Sequence, residues 1–430
     1  MGQRPSRAVR LEGARGPLSA QESKAILVRL ESRGVETGIF ERHLALEEGV
    51  AGSPLTVGNK VALLQDGPAT FAAMFEAIRS ARDHIHMETY IIEDDEVGRK
   101  FAAALVAKQA QGVEVTLVYD SVGSLETPKA FFKALTDNGV KVVEYNPINP
   151  LTAKAGWDVN QRDHRKLLIV DGRSAFLGGI NISSVYSRGS SRGGSSRRGS
   201  VAGWRDTHLM IEGPVVAEFQ KLYLATWEKQ KGAALASRNH YPRPVPAGGE
   251  LVRAIGSTPD DDYSLIYATL ISAIRAAESS VHLTNAYFVP DPQLLAALKD
   301  AAARGVDVSI ILPGNSDSWL VFNAGRSYYA ELLAGGVKIY ERRGPLLHAK
   351  TASIDGVWST VGSTNLDWRS FLHNDEVNAV ILGQEFGAQM RRVFDADLAA
   401  SDAITPERWR ARAIGDHARE MAARLWAYWL

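Results

Sequence analysis

The chain has 430 residues, 45% of them apolar, with 49 basic and 49 acidic side chains and no cysteine. That length allows two domains, each with its own core. The absence of cysteine excludes disulfides, thiolate metal sites and a cysteine nucleophile, and the balanced charge provides no whole-molecule field to attract an anionic polymer.

Residues 1–54 read as a tail followed by helices. Arg4, Arg7, Arg10 and Arg15 stand among Gly, Pro and Ser, a composition that buries no core, and helical runs begin near Ser19 and Gly38. No apolar window approaches the ~20 residues that cross a bilayer, so a peripheral rather than an integral protein is expected.

From residue 55 onward strands and helices alternate, which predicts an α/β domain over 55–240 with a mixed, mostly parallel sheet flanked by helices. His84 to Ile92 alternates as a strand and places His84, His86, Glu88 and Tyr90 on one face. A His-x-His pair can ligate a metal, but no third or fourth ligand stands at a recognisable spacing, so a hydrogen-bonded core imidazole is preferred and no metal or cofactor is expected. Glu88 would be costly to bury without a partner and is placed near the basic site. Residues 187–203 are almost all Ser, Gly and Arg, including Arg188, Arg192, Arg197 and Arg198. They read equally as a tolerated exposed insertion or as a basic flap for anionic headgroups.

The Pro/Gly-rich run from Tyr241 to Gly249 marks a linker, 241–250, and the second domain, 251–404, replays the first. Gly305-Val306-Asp307-Val308 mirrors Gly112-Val113-Glu114-Val115, and Gly336-Val337-Lys338-Ile339 mirrors Gly139-Val140-Lys141-Val142. A pseudo-twofold arrangement with the site at the interface follows. The segment 405–430 reads as an amphipathic helix in which Trp409, Trp426 and Trp429 stand beside several Arg residues. Its earlier part suits docking on the domain, and its last turns suit a membrane surface.

The chemistry lies in a repeated stretch. His164, Lys166 and Asp171 recur as His348, Lys350 and Asp355, each set 184 residues apart and each followed by a Gly-rich turn closing on Asn181 or Asn365. On a strand His and Lys point to the same side. Two His and two Lys brought together suit in-line displacement at phosphorus without a metal, with one imidazole as nucleophile and the other as general acid. Asp206 and Glu376 occupy matching places after the two Asn residues, and each is expected to orient a histidine. Asp171 and Asp355 end their strands before Gly, where a carboxylate more often caps a turn, and Asn181 and Asn365 are expected either to bond the phosphate or to hold the His loops.

At these residues the chain resembles the phospholipase D superfamily and, within it, the bacterial cardiolipin synthases of the soluble subgroup that lacks N-terminal membrane spans. Glu88-Thr89-Tyr90-Ile91, Trp204-Arg205-Asp206-Thr207, Tyr287-Phe288-Val289-Pro290 and Gly362-Ser363-Thr364-Asn365-Leu366-Asp367-Trp368 carry the narrower likeness. The resemblance implies a catalytic set of His164, Lys166, Asp171, His348, Lys350 and Asp355, with His164 as nucleophile and His348 as acid and then base. It also implies phosphatidyl transfer through a phosphohistidine, from one phosphatidylglycerol to another with release of glycerol, and the expected place is the cytoplasmic side of a bacterial inner membrane. The zero net charge and the aromatic C-terminus count against a nucleic acid as partner. A hydrolytic phospholipase D is the alternative, and a nuclease of the superfamily a more distant one.

Overall fold

The computed structural model describes residues 11–31, 39, 42–44, 53–148, 158, 160–190, 203–261 and 263–427. The first ten residues of the expected Arg-rich tail, most of the expected Ser/Gly/Arg loop and the last aromatic turn at Tyr428 and Trp429 lie outside them. The rest of that tail does join a core: Glu12–Gly13 and Gly16–Pro17 pair antiparallel and Leu11 is buried against the second half.

The strands of the first half are β1 (Thr56–Gln65), β2 (His84–Thr89), β3 (Glu114–Asp120), β4 (Lys141–Tyr145), β5 (Lys166–Val170), β6 (Ser174–Gly178) and β7 (Thr207–Glu212). Helices Asp66–Ser80, Glu96–Ala110 and Lys129–Asp137 connect the first four. Each strand sits where β-branched and aliphatic residues cluster, and Asp95 caps the second helix by accepting from the backbone N–H groups of Val97 and Gly98. The sheet order is β4-β3-β2-β5-β6-β7-β1.

The second half has β8 (Glu250–Ser257), β9 (Ser280–Asn285), β10 (Asp307–Pro313), β11 (Lys338–Arg342), β12 (Lys350–Ile354), β13 (Trp358–Gly362), β14 (Asn374–Leu382) and β15 (Ser401–Ile404). Their order is β15-β11-β10-β9-β12-β13-β14-β8. Apart from the added edge strand β15, it repeats the first half. The equivalent strands β1 and β8 pair antiparallel, so one mixed sheet runs through both halves about a local pseudo-twofold axis.

The α/β class stands, but the expected parallel majority does not. Within the main sheet β2–β3–β4 and β9–β10–β11 run parallel, where helices make the crossovers. The rest of each half is antiparallel because Asp171-Gly172 and Asp355-Gly356 form tight hairpin turns. All four residues have positive φ, at 54° and 60° in the first turn and 54° and 66° in the second. This is the backbone a two-residue hairpin turn requires, and Asp-Gly adopts it readily.

Among the described residues three large apolar clusters, with a small fourth around Ile311, Leu347, Ala349 and Phe394, hold the molecule together. One belongs to each half, and the third mixes Val61, Leu177, Leu209 and Phe219 with Val252, Val377, Ile381 and Met390. Each such side chain contributes roughly 1.5–3 kcal/mol on burial. The two halves therefore share a core, and that shared core fixes the relative position of the two His-Lys segments.

Candidate active site

His164 and Lys166 stand where the chain enters β5, and His348 and Lys350 where it enters β12. All four are buried. What brings them together is a crossed backbone contact between the halves. Arg162 and Asp163 pair in parallel with Asn374 and Asp375, and Arg205 pairs in parallel with Leu347. The backbone N–H of His164 donates to the Asp375 carbonyl at 3.0 Å, and that of His348 donates to the Arg205 carbonyl at 2.7 Å. The residue after each of those carbonyls is an acid. Each histidine thus lies beside the acid of the opposite half.

The side chains complete the crossing. His164 Nδ1 is 3.0 Å from Glu376 Oε1 and 3.2 Å from Oε2, and His348 Nδ1 is 2.8 Å from Asp206 Oδ2. Each Nδ1–H facing a carboxylate leaves Nε2 as the free reactive nitrogen. The two acids differ in length, and their surroundings compensate. A side chain at Gly179 would occupy the place of the Asp206 carboxylate. At the same register in the other half Ser363 donates its hydroxyl to Glu376. Lys166 Nζ and Lys350 Nζ each donate at 2.5 Å to the carbonyl of their own histidine. Tyr90 stacks edge-on against His164 at 5.0 Å, with Lys166 over its ring, and Tyr287 repeats this more loosely against His348 and Lys350.

Burial of four potential cations in one place sets the electrostatics. His164 is pushed down to about 4 by burial and by Lys166, against the pull of Glu376. His348 is lowered by burial and Lys350, against Asp206. Burial also lowers Lys166 to about 7 and Lys350 to about 8. Burial works against the Glu376 charge, but His164 and Lys166 hold that carboxylate below its usual range. A phosphate entering the site would offset the effect of burial and hold both lysines protonated.

Asp171 and Asp355 do not join this cluster. Each lies at the far end of its strand from the lysine, about 15 Å along the chain at some 3.3 Å per residue. Asp171 accepts from the backbone N–H groups of Arg82, Asp83 and His84, at 2.9, 2.8 and 3.0 Å. Asp355 accepts from those of Glu278, Ser279 and Ser280, and from His43 Nε2 at 3.0 Å. Burial opposes the Asp355 charge, but His43 and these amides hold its carboxylate well below the usual range. The geometry is that of a clamp between the hairpin turn and the start of β2 or β9. Asp171→Ala is expected to cost about 2–3 kcal/mol in a denaturant melt while turnover per folded molecule stays within a few-fold. Collapsed turnover at unchanged stability would return Asp171 to the catalytic set.

Asn181 Oδ1 accepts from the Ile91 backbone and its amide reaches Tyr186, so it holds the loop after β2. Asn365 Oδ1 is buried with no hydrogen-bond partner among the described residues. Glu88 is fully buried, and its ionic neighbour is Arg165 at 3.9 Å rather than either lysine. Burial raises the pKa of Glu88, and burial together with Glu88 raises that of Asp163.

Sequence reasoning did not single out Tyr186, whose hydroxyl is 3.1 Å from His348 Nδ1, or Ser363 as a partner of Glu376. Ser363 sat inside a recognised motif. Tyr186 had no signal, because the matching place in the second half, five residues beyond Asn365, is Ser370.

The family described as "Cardiolipin synthase, PLD-like domain" matches residues 74–188 and 270–398. A cardiolipin synthase of Geobacillus sp. (strain WCH70) is 35% identical over 385 residues, spanning 89% of this chain and 74% of its own length. One of Listeria monocytogenes serotype 4a (strain HCC23) is 35% identical over 377 residues, spanning 87% of this chain and 76% of its own. Among solved structures, a phosphatidylserine synthase from Haemophilus influenzae Rd KW20 superposes with a TM-score of 0.64 at 13% identity, covering 90% of this chain and all of that one. That likeness bears on the fold.

Proposed function

The chain belongs to the cardiolipin synthase family of phospholipase D-like proteins, and from that premise we propose that it is a phosphatidyltransferase acting on glycerophospholipids, with phosphatidylglycerol as donor and acceptor. The observation that carries the reading is the pair of crossed contacts, His164 to Glu376 and His348 to Asp206. They assemble two oriented imidazoles and two lysines at one interface.

In the proposed reaction His164 Nε2 attacks the phosphorus of the donor in line with the departing glycerol oxygen. His348 gives that oxygen its proton, and glycerol leaves. A phosphatidyl group is then held on His164. His348, now neutral, takes the proton from the terminal hydroxyl of the acceptor as that oxygen attacks phosphorus and the P–N bond breaks. Lys166 and Lys350 neutralise the non-bridging oxygens through both steps. The asymmetry of the site supports this order. Both imidazoles are lowered by burial and a neighbouring lysine, and His348 differs in having a second residue, Tyr186, beside its Nδ1 in addition to the carboxylate of Asp206.

Because His348 must carry a proton and the lysines their charge, kcat/KM is expected to fall as pH rises, first as His348, held below its ordinary value, loses its proton, and then through about 7 to 8, following Lys166 and Lys350. It should fall again at the acid end, as His164 becomes protonated near 4. A rate that keeps rising to pH 9 would remove the lysines from this role.

The proposed site of action is the surface of a bacterial inner membrane, on its cytoplasmic side. Among the described residues no helix is long and apolar enough to cross a membrane. On the helix Ile414–Arg424 and just beyond it, Ile414, Met421, Leu425 and Trp426 are exposed, with Arg419 and Arg424 among them. Apolar and aromatic side chains flanked by arginines favour an anionic interface. Purified chain incubated with phosphatidylglycerol vesicles should yield cardiolipin and glycerol in equal amounts. Phosphatidic acid alone would make it a hydrolase, and cleavage of DNA without lipid turnover a nuclease.

A further inference from the structure

At the end of β2 remote from Lys166, three histidines meet. His84 and His86 project from the same face of β2, and His240 arrives from the segment between helix Val216–Lys229 and β8. One ring nitrogen from each lies within 4.8 Å of the others. His84 and His86 are fully buried and His240 is half-buried.

Hydrogen bonding fixes which nitrogens are bare. His84 Nδ1 is 2.8 Å from the Asp83 carboxylate and so carries the proton, which leaves Nε2 as a lone pair; that atom is buried with no partner. His86 Nδ1 is 2.6 Å from Thr116 Oγ1, whose own proton goes to the Ile85 carbonyl at 3.4 Å, so Nδ1–H donates to the hydroxyl and this ring too presents a bare Nε2. It faces His240 Nδ1 at 3.2 Å. His240 Nε2 is likewise without a partner. A carboxylate, Glu114, stands opposite His84 on β3, with one oxygen unpartnered. Burying lone pairs with no donor is costly. A divalent cation would take up His84 Nε2, His86 Nε2 and His240 Nδ1 together, and the outer partners Asp83 and Thr116 already hold the first two imidazoles in the tautomer that presents Nε2.

We propose that His84, His86 and His240 form a structural site for a borderline-soft divalent cation such as zinc, which clasps the segment joining the two halves onto the sheet of the first. Imidazole nitrogens suit zinc at ~2.0–2.1 Å with a fourth position left for water. His240 lies outside any helix or strand, so it can close toward the strand pair, its proton passing from Nδ1 to Nε2 as Nδ1 becomes a ligand. The site shares no side chain with the histidine-lysine cluster, and its role is to hold the interdomain segment.

The test uses the untagged full chain, stripped with a chelator and then titrated with zinc. The wild type should bind one zinc per chain with a rise in Tm, and cobalt in its place should show the visible bands of low-coordinate imidazole ligation. His240→Ala removes only a half-buried ring, so it should fold with an unchanged Tm in chelator and keep its phospholipid turnover. It should lose zinc affinity by at least ~10-fold and show no zinc-induced rise in Tm. A wild type that binds no zinc, or a His240→Ala chain that binds and is stabilised as the wild type is, overturns the proposal.

Discussion

His164→Ala and His348→Ala are each expected to lower turnover of phosphatidylglycerol by at least 10³–10⁴, with folding unchanged. The size follows from the roles. A nucleophile and its acid-base partner act as a unit, so removing either leaves only the rate enhancement that positioning and charge provide. Folding should survive because both rings look into the site from the ends of strands, and the apolar clusters contain neither. The two variants should differ with a substrate whose leaving group needs no proton, such as an aryl ester of phosphatidic acid. There His348→Ala regains its first step and stalls on the intermediate, while His164→Ala stays inactive. If both recover equally, the proposed division of labour is wrong.

Glu376→Gln is expected to cost about 10²–10⁴ in kcat, comparable to losing the orienting carboxylate of other imidazole catalysts. The amide keeps the shape, but it can present its NH₂ to His164 Nδ1 and so favour the tautomer whose Nε2 is protonated and cannot attack. Ser363 donates to one carboxylate oxygen and Asn374 Nδ2 to the other at 3.4 Å, so whichever oxygen becomes the NH₂ also loses a bond it accepted. A positioning role predicts more than a lost rate. The acid limb of the pH profile should move, and the phosphatidylglycerol KM should change far less than kcat. Loss through KM alone, with an unmoved acid limb, would make Glu376 a packing residue. The same substitution at Asp206 should act on His348 instead, because the contacts cross.

That crossing was not legible in the sequence. The repeat of His164-Lys166 as His348-Lys350, and of Asn181 as Asn365, announced a doubled site, and the matching positions of Asp206 and Glu376 marked both acids. Register alone fits either pairing, each acid with its own histidine or with the opposite one. Only the parallel contacts of Arg162-Asp163 with Asn374-Asp375 and of Arg205 with Leu347 decide it. The parallel strands were readable because helices separate them. The antiparallel ones were not, because runs such as Lys166–Val170 are buried on both faces and carry no alternation. The Asp-Gly pairs at 171–172 and 355–356 were the available sign of hairpins, and they also account for the two aspartates as clamps on neighbouring backbone amides. His240 escaped notice because it lies far in sequence from His84 and His86, in a segment without periodicity.

The central claim is a covalent phosphatidyl group on His164 formed in a site that both halves build. Mixing His348→Ala with an aryl ester of phosphatidic acid, quenching at alkaline pH where phosphoramidates persist, and mapping the adduct by peptide mass spectrometry tests it directly. The account predicts close to one phosphatidyl group per chain, on the peptide containing His164. An enzyme that releases the aryl alcohol with no adduct at His164, or with the adduct elsewhere, would contradict it.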